Sequence, residues 1–134
     1  MKGGDAQQRV RAQEAYLRTT VGAASPLEQR RRLLEMAITC ARSVAQCLRN
    51  GRRGDAHSAA TRTRKALLAL ATGVRTEEHA TLGELILRLH VYMHGRITQA
   101  VLTRDPALAD EVVGLLEQEH AAWTDLLKGR RDAG

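Results

Sequence analysis

Phenylalanine is missing from this chain, and its aromatic side chains are confined to Tyr16, Tyr92 and Trp123. Val and Ile together add only 11 residues, against 21 Ala and 18 Leu. A β-sheet is filled by β-branched and aromatic side chains, so a chain of 134 residues with this inventory has little from which to build one. Ala and Leu are strong helix formers, and only 2 Pro interrupt them. The expectation is an all-α fold. With 43% apolar residues, that fold is a single domain with a real core rather than a disordered chain.

Capping signals divide the chain. Ser25-Pro26-Leu27-Glu28 sets an N-cap hydroxyl, a first-turn Pro and an N3 carboxylate in register, and Asn50-Gly51 is a left-handed stop. Asp55 reads as the next cap and Gly73 as the next stop, while Thr76 followed by Glu77 and Glu78 starts a third helix. Asp105-Pro106 repeats the cap-plus-Pro signal, and Gly129 reads as the final stop. The predicted helices are about 26–50, 55–73, 77–103 and 106–128. Short links make successive helices antiparallel, an up-down-up-down four-helix bundle over 25–129. Residues 1–24 form a short helical or extended N-terminal cap, and 130–134 a disordered tail.

The apolar faces are wide. In the first helix Leu34, Ile38, Ala41, Ala45 and Leu48 form one row, and Leu33, Ala37, Cys40, Val44 and Cys47 form a second beside it. Together they exceed the stripe of roughly 100° that a surface helix needs. The second helix offers Leu67, Leu68, Leu70, Ala71 and Val74. The third offers Leu82, Ile86, Leu89, Met93, Ile97 and Ala100, with Leu85 and Tyr92 on the adjoining edge. The last offers Leu108, Val112, Leu115, Leu116, Ala122, Trp123 and Leu126. Surplus apolar surface calls for a cover: the arm around Tyr16, a second subunit in a homodimer, or a client helix. Tight packing through small Ala side chains accounts for the same pattern without a cover.

Little in the sequence points to chemistry. His90 and His94 are spaced to chelate one metal ion, yet no further ligand or general base is placed beside them, so no metal site or cofactor is expected. Cys40 and Cys47 lie on an apolar row and read as small core residues. No nucleophile, base and carboxylate fall together, and an enzyme is not expected. No run of about 18 apolar residues exists, and the start lacks an apolar signal segment, so membrane insertion is not expected and a cytoplasmic location is the default expectation. The net charge of +6 favours acidic or phosphate-bearing partners. Arg30-Arg31-Arg32 and Arg52-Arg53 could contact phosphates, but in so Arg-rich a chain they fit a solvated helix face better, and aromatic stacking platforms are missing, so nucleic acid is not the expected partner.

Further landmarks fall in a recognisable order: Ala15-Tyr16, Val21 and Ala24-Ser25-Pro26; Leu33-Leu34-Glu35-Met36-Ala37-Ile38; Lys65-Ala66-Leu67-Leu68 with Leu70. Leu89-His90-Val91-Tyr92-Met93, Arg96-Ile97, Ala100 and Asp105 follow, then Glu111-Val112 and Trp123. This series, over about residues 12 to 127, resembles the FliS family of flagellar secretion chaperones. Departures fall at Gln29, Arg31 and Arg32, where the family usually carries apolar residues at intervals, at Leu34 for a usual Tyr, and at Met36 for a small residue.

The resemblance implies a four-helix bundle with an N-terminal cap. It implies a cytosolic chaperone that binds the C-terminal segment of flagellin in apolar grooves, blocks premature polymerisation and hands it to the flagellar type III export gate. Under it, the client-binding candidates are Tyr16, Leu34, Ile38, Leu67, Leu68, Ala71, Leu89 and Met93. Each also fits an ordinary core position, since periodicity does not separate core from groove. Tyr16 fits either a displaceable cover or a permanent plug. Two other readings are a helical scaffold or adaptor with another client, which would self-associate, and a basic nucleic-acid-binding bundle, whose affinity would fall steeply with salt.

Overall fold

The first helix starts where its cap predicts. In the computed structural model, which describes residues 8, 9, 11, 25–72 and 80–133, Ser25 Oγ accepts a hydrogen bond from the Glu28 amide at 3.1 Å and α1 runs Pro26–Arg49. It ends in a left-handed turn. Gly51 has φ of 69°, and the amides of Gly51 and Arg52 donate back to the carbonyls of Leu48 and Cys47 at 3.2 and 2.8 Å. Because this turn delivers the chain straight into the next helix, α2 spans Arg53–Thr72 and its first bond runs from Ala56 N to Arg52 O. Asp55 is therefore a first-turn residue rather than the expected cap; its carboxylate pairs with Arg52 beside the positive end of the helix.

The predicted stop at Gly73 and start at Thr76 lie outside the described residues, as do Tyr16 and the rest of 12–24. Helix α3 spans Ala80–Thr103 and α4 spans Pro106–Ala133. The link between them repeats the left-handed stop with Arg104 at φ 56°, after which the Asp105 amide donates to Ala100 O at 3.0 Å. Asp105 Oδ1 then accepts from Ala107 N at 3.0 Å, the predicted cap. The predicted stop at Gly129 is corrected: α4 continues to Ala133, through part of the stretch expected to be a disordered tail. A glycine ends a helix by turning left-handed, and of the described glycines only Gly51 does so; inside a helix it weakens the structure by about 1 kcal/mol without breaking it.

The four helices pack as a ring in chain order, α1 and α3 lying across the diagonal with few contacts. Partners along α1 and α4 run in opposite order, Glu35 with His120, Arg42 with Glu117 and Arg49 with Asp110. The same holds for α3 and α4, where His90 meets Glu119 and Arg96 meets Glu111. Both apolar rows of α1 turn inward because it packs on α2 and α4 at once: Leu34, Ala37, Ile38, Cys40, Ala41, Val44 and Ala45 are all buried. Met93 and Ile97 of α3 and Val112 and Leu116 of α4 complete this core. Each such large side chain contributes about 1.5–3 kcal/mol by its burial. The surplus apolar surface therefore sits elsewhere, chiefly on α3, where Leu82, Leu85, Leu87, Val91 and Tyr92 are all exposed.

Candidate functional site

A groove of about 150 Å³ opens between α2 and α3, lined by Leu67, Leu68, Ala71, Leu87, His90, Val91 and His94. Cavities of about this size hold a benzene-sized group, so it fits one large side chain of a docked helix. Its walls are apolar and wet: Leu68 is 62% exposed, Val91 63% and Leu87 44%. Covering the remaining exposed part of Leu68 and Val91 would be worth roughly 1–2 kcal/mol each. The floor is Leu67 and His90, both almost fully buried.

Helix geometry explains these fates. Leu67 and Leu68 are neighbours in sequence but about 100° apart around α2, so one enters the core and the other faces the groove. On α3, Leu87, Val91 and His94 recur at i, i+4 and i+7, a third row besides that of Leu89 and Met93 and that of Leu85 and Tyr92. An apolar pattern on three sides of a helix that packs against two neighbours was the signal in the sequence for Leu87 and Val91. Both were missed because the inward rows already accounted for a surface helix.

Of the candidate client-binding residues, the structure brings Leu67, Leu68 and Ala71 to this groove. Leu34, Ile38 and Met93 lie inside the bundle at 0%, 8% and 0% exposure, and Leu89 is half-buried against the core. Tyr16 lies outside the described residues. Among the departures, Leu34 fills the core, whereas Met36 and Arg32 face solvent.

Behind the floor lies a buried polar network reaching all four helices. Arg30 of α1 donates to the Leu70 carbonyl of α2 at 2.8 Å and to Glu119 Oε1 of α4 at 3.1 Å. Glu119 Oε2 meets His90 Nε2 of α3 at 3.1 Å, and the Arg30 guanidinium lies 5.1 Å from the centroid of the Trp123 ring. The side chains of Arg30, Glu119 and His90 are only 11%, 9% and 1% exposed. Burial pushes the Glu119 carboxyl up, but His90 and Arg30 outweigh it and hold its pKa below the ordinary value. An ionised carboxylate only accepts, so His90 Nε2 carries the hydrogen in this bond. Arg30 is thus structural, and Arg31 pairs with Glu28 and Glu35, which leaves Arg32 as the outward member of the triplet.

His94 is exposed and His90 is engaged with Glu119, so the pair does not converge on one point; no cluster of three or more metal-binding side chains occurs among the described residues. Nor is any helix among them long and apolar enough to cross a membrane. Fold and groove together define a small helical bundle with an apolar seam open between α2 and α3. Over residues 8–130, nearly its whole length, the chain matches the family described as flagellar protein FliS, and it belongs to that family. FliS proteins are flagellar export chaperones, not a family of enzymes. No curated protein matches the chain.

Proposed function

We propose that this protein is a cytosolic chaperone that holds the C-terminal segment of flagellin as a helix along the α2–α3 groove, prevents its premature polymerisation and delivers it to the flagellar export gate. The observation that carries this reading is the pairing of FliS membership with an apolar groove whose walls, Leu68, Leu87 and Val91, stay in water. An amphipathic segment laid there would cover those side chains with its own apolar stripe, the helix-in-groove mode of recognition. Leu67 and Ala71 would touch it from the floor and edge. Leu34, Ile38 and Met93 support the groove from inside the bundle, and would meet a client only if the helices parted. Ordering a disordered client offsets part of the contact energy and keeps the complex separable.

The test is calorimetry with the C-terminal segment of flagellin from the same organism. One-to-one binding with a gain of helix, abolished by Leu68→Glu or Val91→Glu in proteins of unchanged helicity, is the expected result. Unchanged binding by both variants would move the site off this groove, and self-association without client would assign the seam to a second copy.

A further inference from the structure

The groove is apolar along its floor but not electrically neutral along its rim. From Ala56 to Thr72, α2 carries Arg62, Arg64 and Lys65 and no carboxylate. Asp55, the one acidic residue of α2, pairs with Arg52 at the start of the helix. Four carboxylates of the other helices are engaged elsewhere: Glu117, Asp110 and Glu119 with arginines of α1, Glu111 with Arg96. On the α3 side of the groove Glu84 and Arg88 neutralise each other at 3.3 Å. Among the described residues the Arg64 guanidinium bonds to hydroxyls, Thr98 Oγ1 at 3.5 Å and Thr61 Oγ1 at 3.4 Å. Lys65 is exposed and has no ion-pair or hydrogen-bond partner among the described residues.

Arg64 and Lys65 stand one turn before Leu68 on the same helix, so positive charge flanks one end of the apolar walls, about 6 Å along the axis. Resting on the groove being the docking site, we propose that it selects an acidic amphipathic helix: apolar residues at i, i+3, i+4 and i+7 fill the wall between Leu68 and Val91, and Asp or Glu beside that stripe meets Arg64 and Lys65. Salt pairs at such a rim add affinity and, above all, reject segments with basic flanks, because like charges would be brought together as the apolar faces close.

The probes are two helical peptides of about five turns with one shared leucine stripe, one flanked by Glu and the other by Lys. Affinities are read by fluorescence anisotropy at ~50 mM and ~500 mM salt. The acidic peptide is expected to bind about tenfold tighter at low salt, with the difference shrinking to about twofold at high salt. Arg64→Glu/Lys65→Glu, checked for helicity, reverses the preference. Arg53→Glu/Arg104→Glu changes net charge equally on exposed residues away from the groove and leaves the preference in place. Equal affinities for the two peptides, or a preference that survives the Arg64/Lys65 variant, overturn the charge selection; Leu68→Glu abolishing both complexes then keeps the groove itself. Absence of binding by either peptide removes the docking reading and this inference with it.

Discussion

Replacing Glu119 by Leu tests whether the buried network holds the helices together. The change removes the acceptor of Arg30 Nη2 and of His90 Nε2, both at 3.1 Å, while Arg30 keeps its bond to the Leu70 carbonyl and its place over Trp123. Two bonds to a charged group, each worth about 1.5–3 kcal/mol, and a buried cation left without its partner give an expected loss of about 4 kcal/mol. In a domain of this size that lowers the melting temperature by roughly 12–20 °C, or the urea midpoint by about 2–3 M, with the slope unchanged. The double variant Arg30→Met/Glu119→Leu should recover roughly half of the loss: the stranded cation is gone, but His90 Nε2 still lacks an acceptor. The acid limb gives an independent check. With its pKa lowered by folding, Glu119 contributes stability that is complete above the unfolded value of about 4.3 and is lost as pH falls through the lower folded value. The gap between wild type and Glu119→Leu should therefore narrow as pH falls below about 4. A loss of under about 1 kcal/mol, or a gap that persists undiminished at pH 3, would show that water screens the network and would refute the reasoning.

The remaining predictions follow from backbone and burial. Arg104 is exposed in a left-handed conformation that costs a side chain about 1–2 kcal/mol, so Arg104→Gly should raise the melting temperature by roughly 3–5 °C in calorimetry. Gly51→Ala should do the reverse by a comparable amount, since nothing crowds the site and only the backbone angle is at stake. Leu34→Ala should cost about 2–5 kcal/mol in urea unfolding, whereas Leu68→Ala should change stability by under about 0.5 kcal/mol. Equal effects of the two leucines would mean that groove and core have been exchanged.

Local signals were legible to the residue where they depend on a few neighbours. Ser25-Pro26, Asn50-Gly51 and Asp105-Pro106 each close their own hydrogen bonds, and each marks an observed helix end. Asp55 misled because the turn at Gly51 had already set the entry into α2 two residues earlier. Gly129 misled because glycine permits a left-handed turn without requiring one. The Arg30–Arg32 triplet shows where periodicity ends: successive residues lie about 100° apart, and only the positions of α2 and α4 decide that Arg30 is the one buried. The same holds for Leu67 and Leu68, alike in sequence and opposite in exposure. Sequence patterning placed the surplus apolar surface on α1, whose two rows exceed one stripe; packing on α2 and α4 absorbs both rows, and the exposed apolar side chains lie chiefly on α3.

Why the open surface lies between α2 and α3 follows from how the helices are tied. Helix α4 is fixed to α1 by Arg42–Glu117, Arg49–Asp110 and Arg30–Glu119, and to α3 by Arg96–Glu111 and His90–Glu119. Of these, Arg30–Glu119–His90 is buried, and a client helix that intruded upon it would leave stranded charges. Among the described residues no ion pair joins α2 to α3, and the polar contact across them is the Arg64–Thr98 bond at 3.5 Å. Among the described residues helix α2 also lacks an ion pair to α1, but those two helices pack as extensively as α1 and α4 do. Under the proposed docking, an apolar helix at the α2–α3 seam would cover Leu68 and Val91 without breaking any ion pair between those two helices among the described residues. Its contacts are non-directional, so a docked side chain can substitute for water against Leu68 and Val91 without disturbing the register that the Arg30–Glu119–His90 network holds behind it.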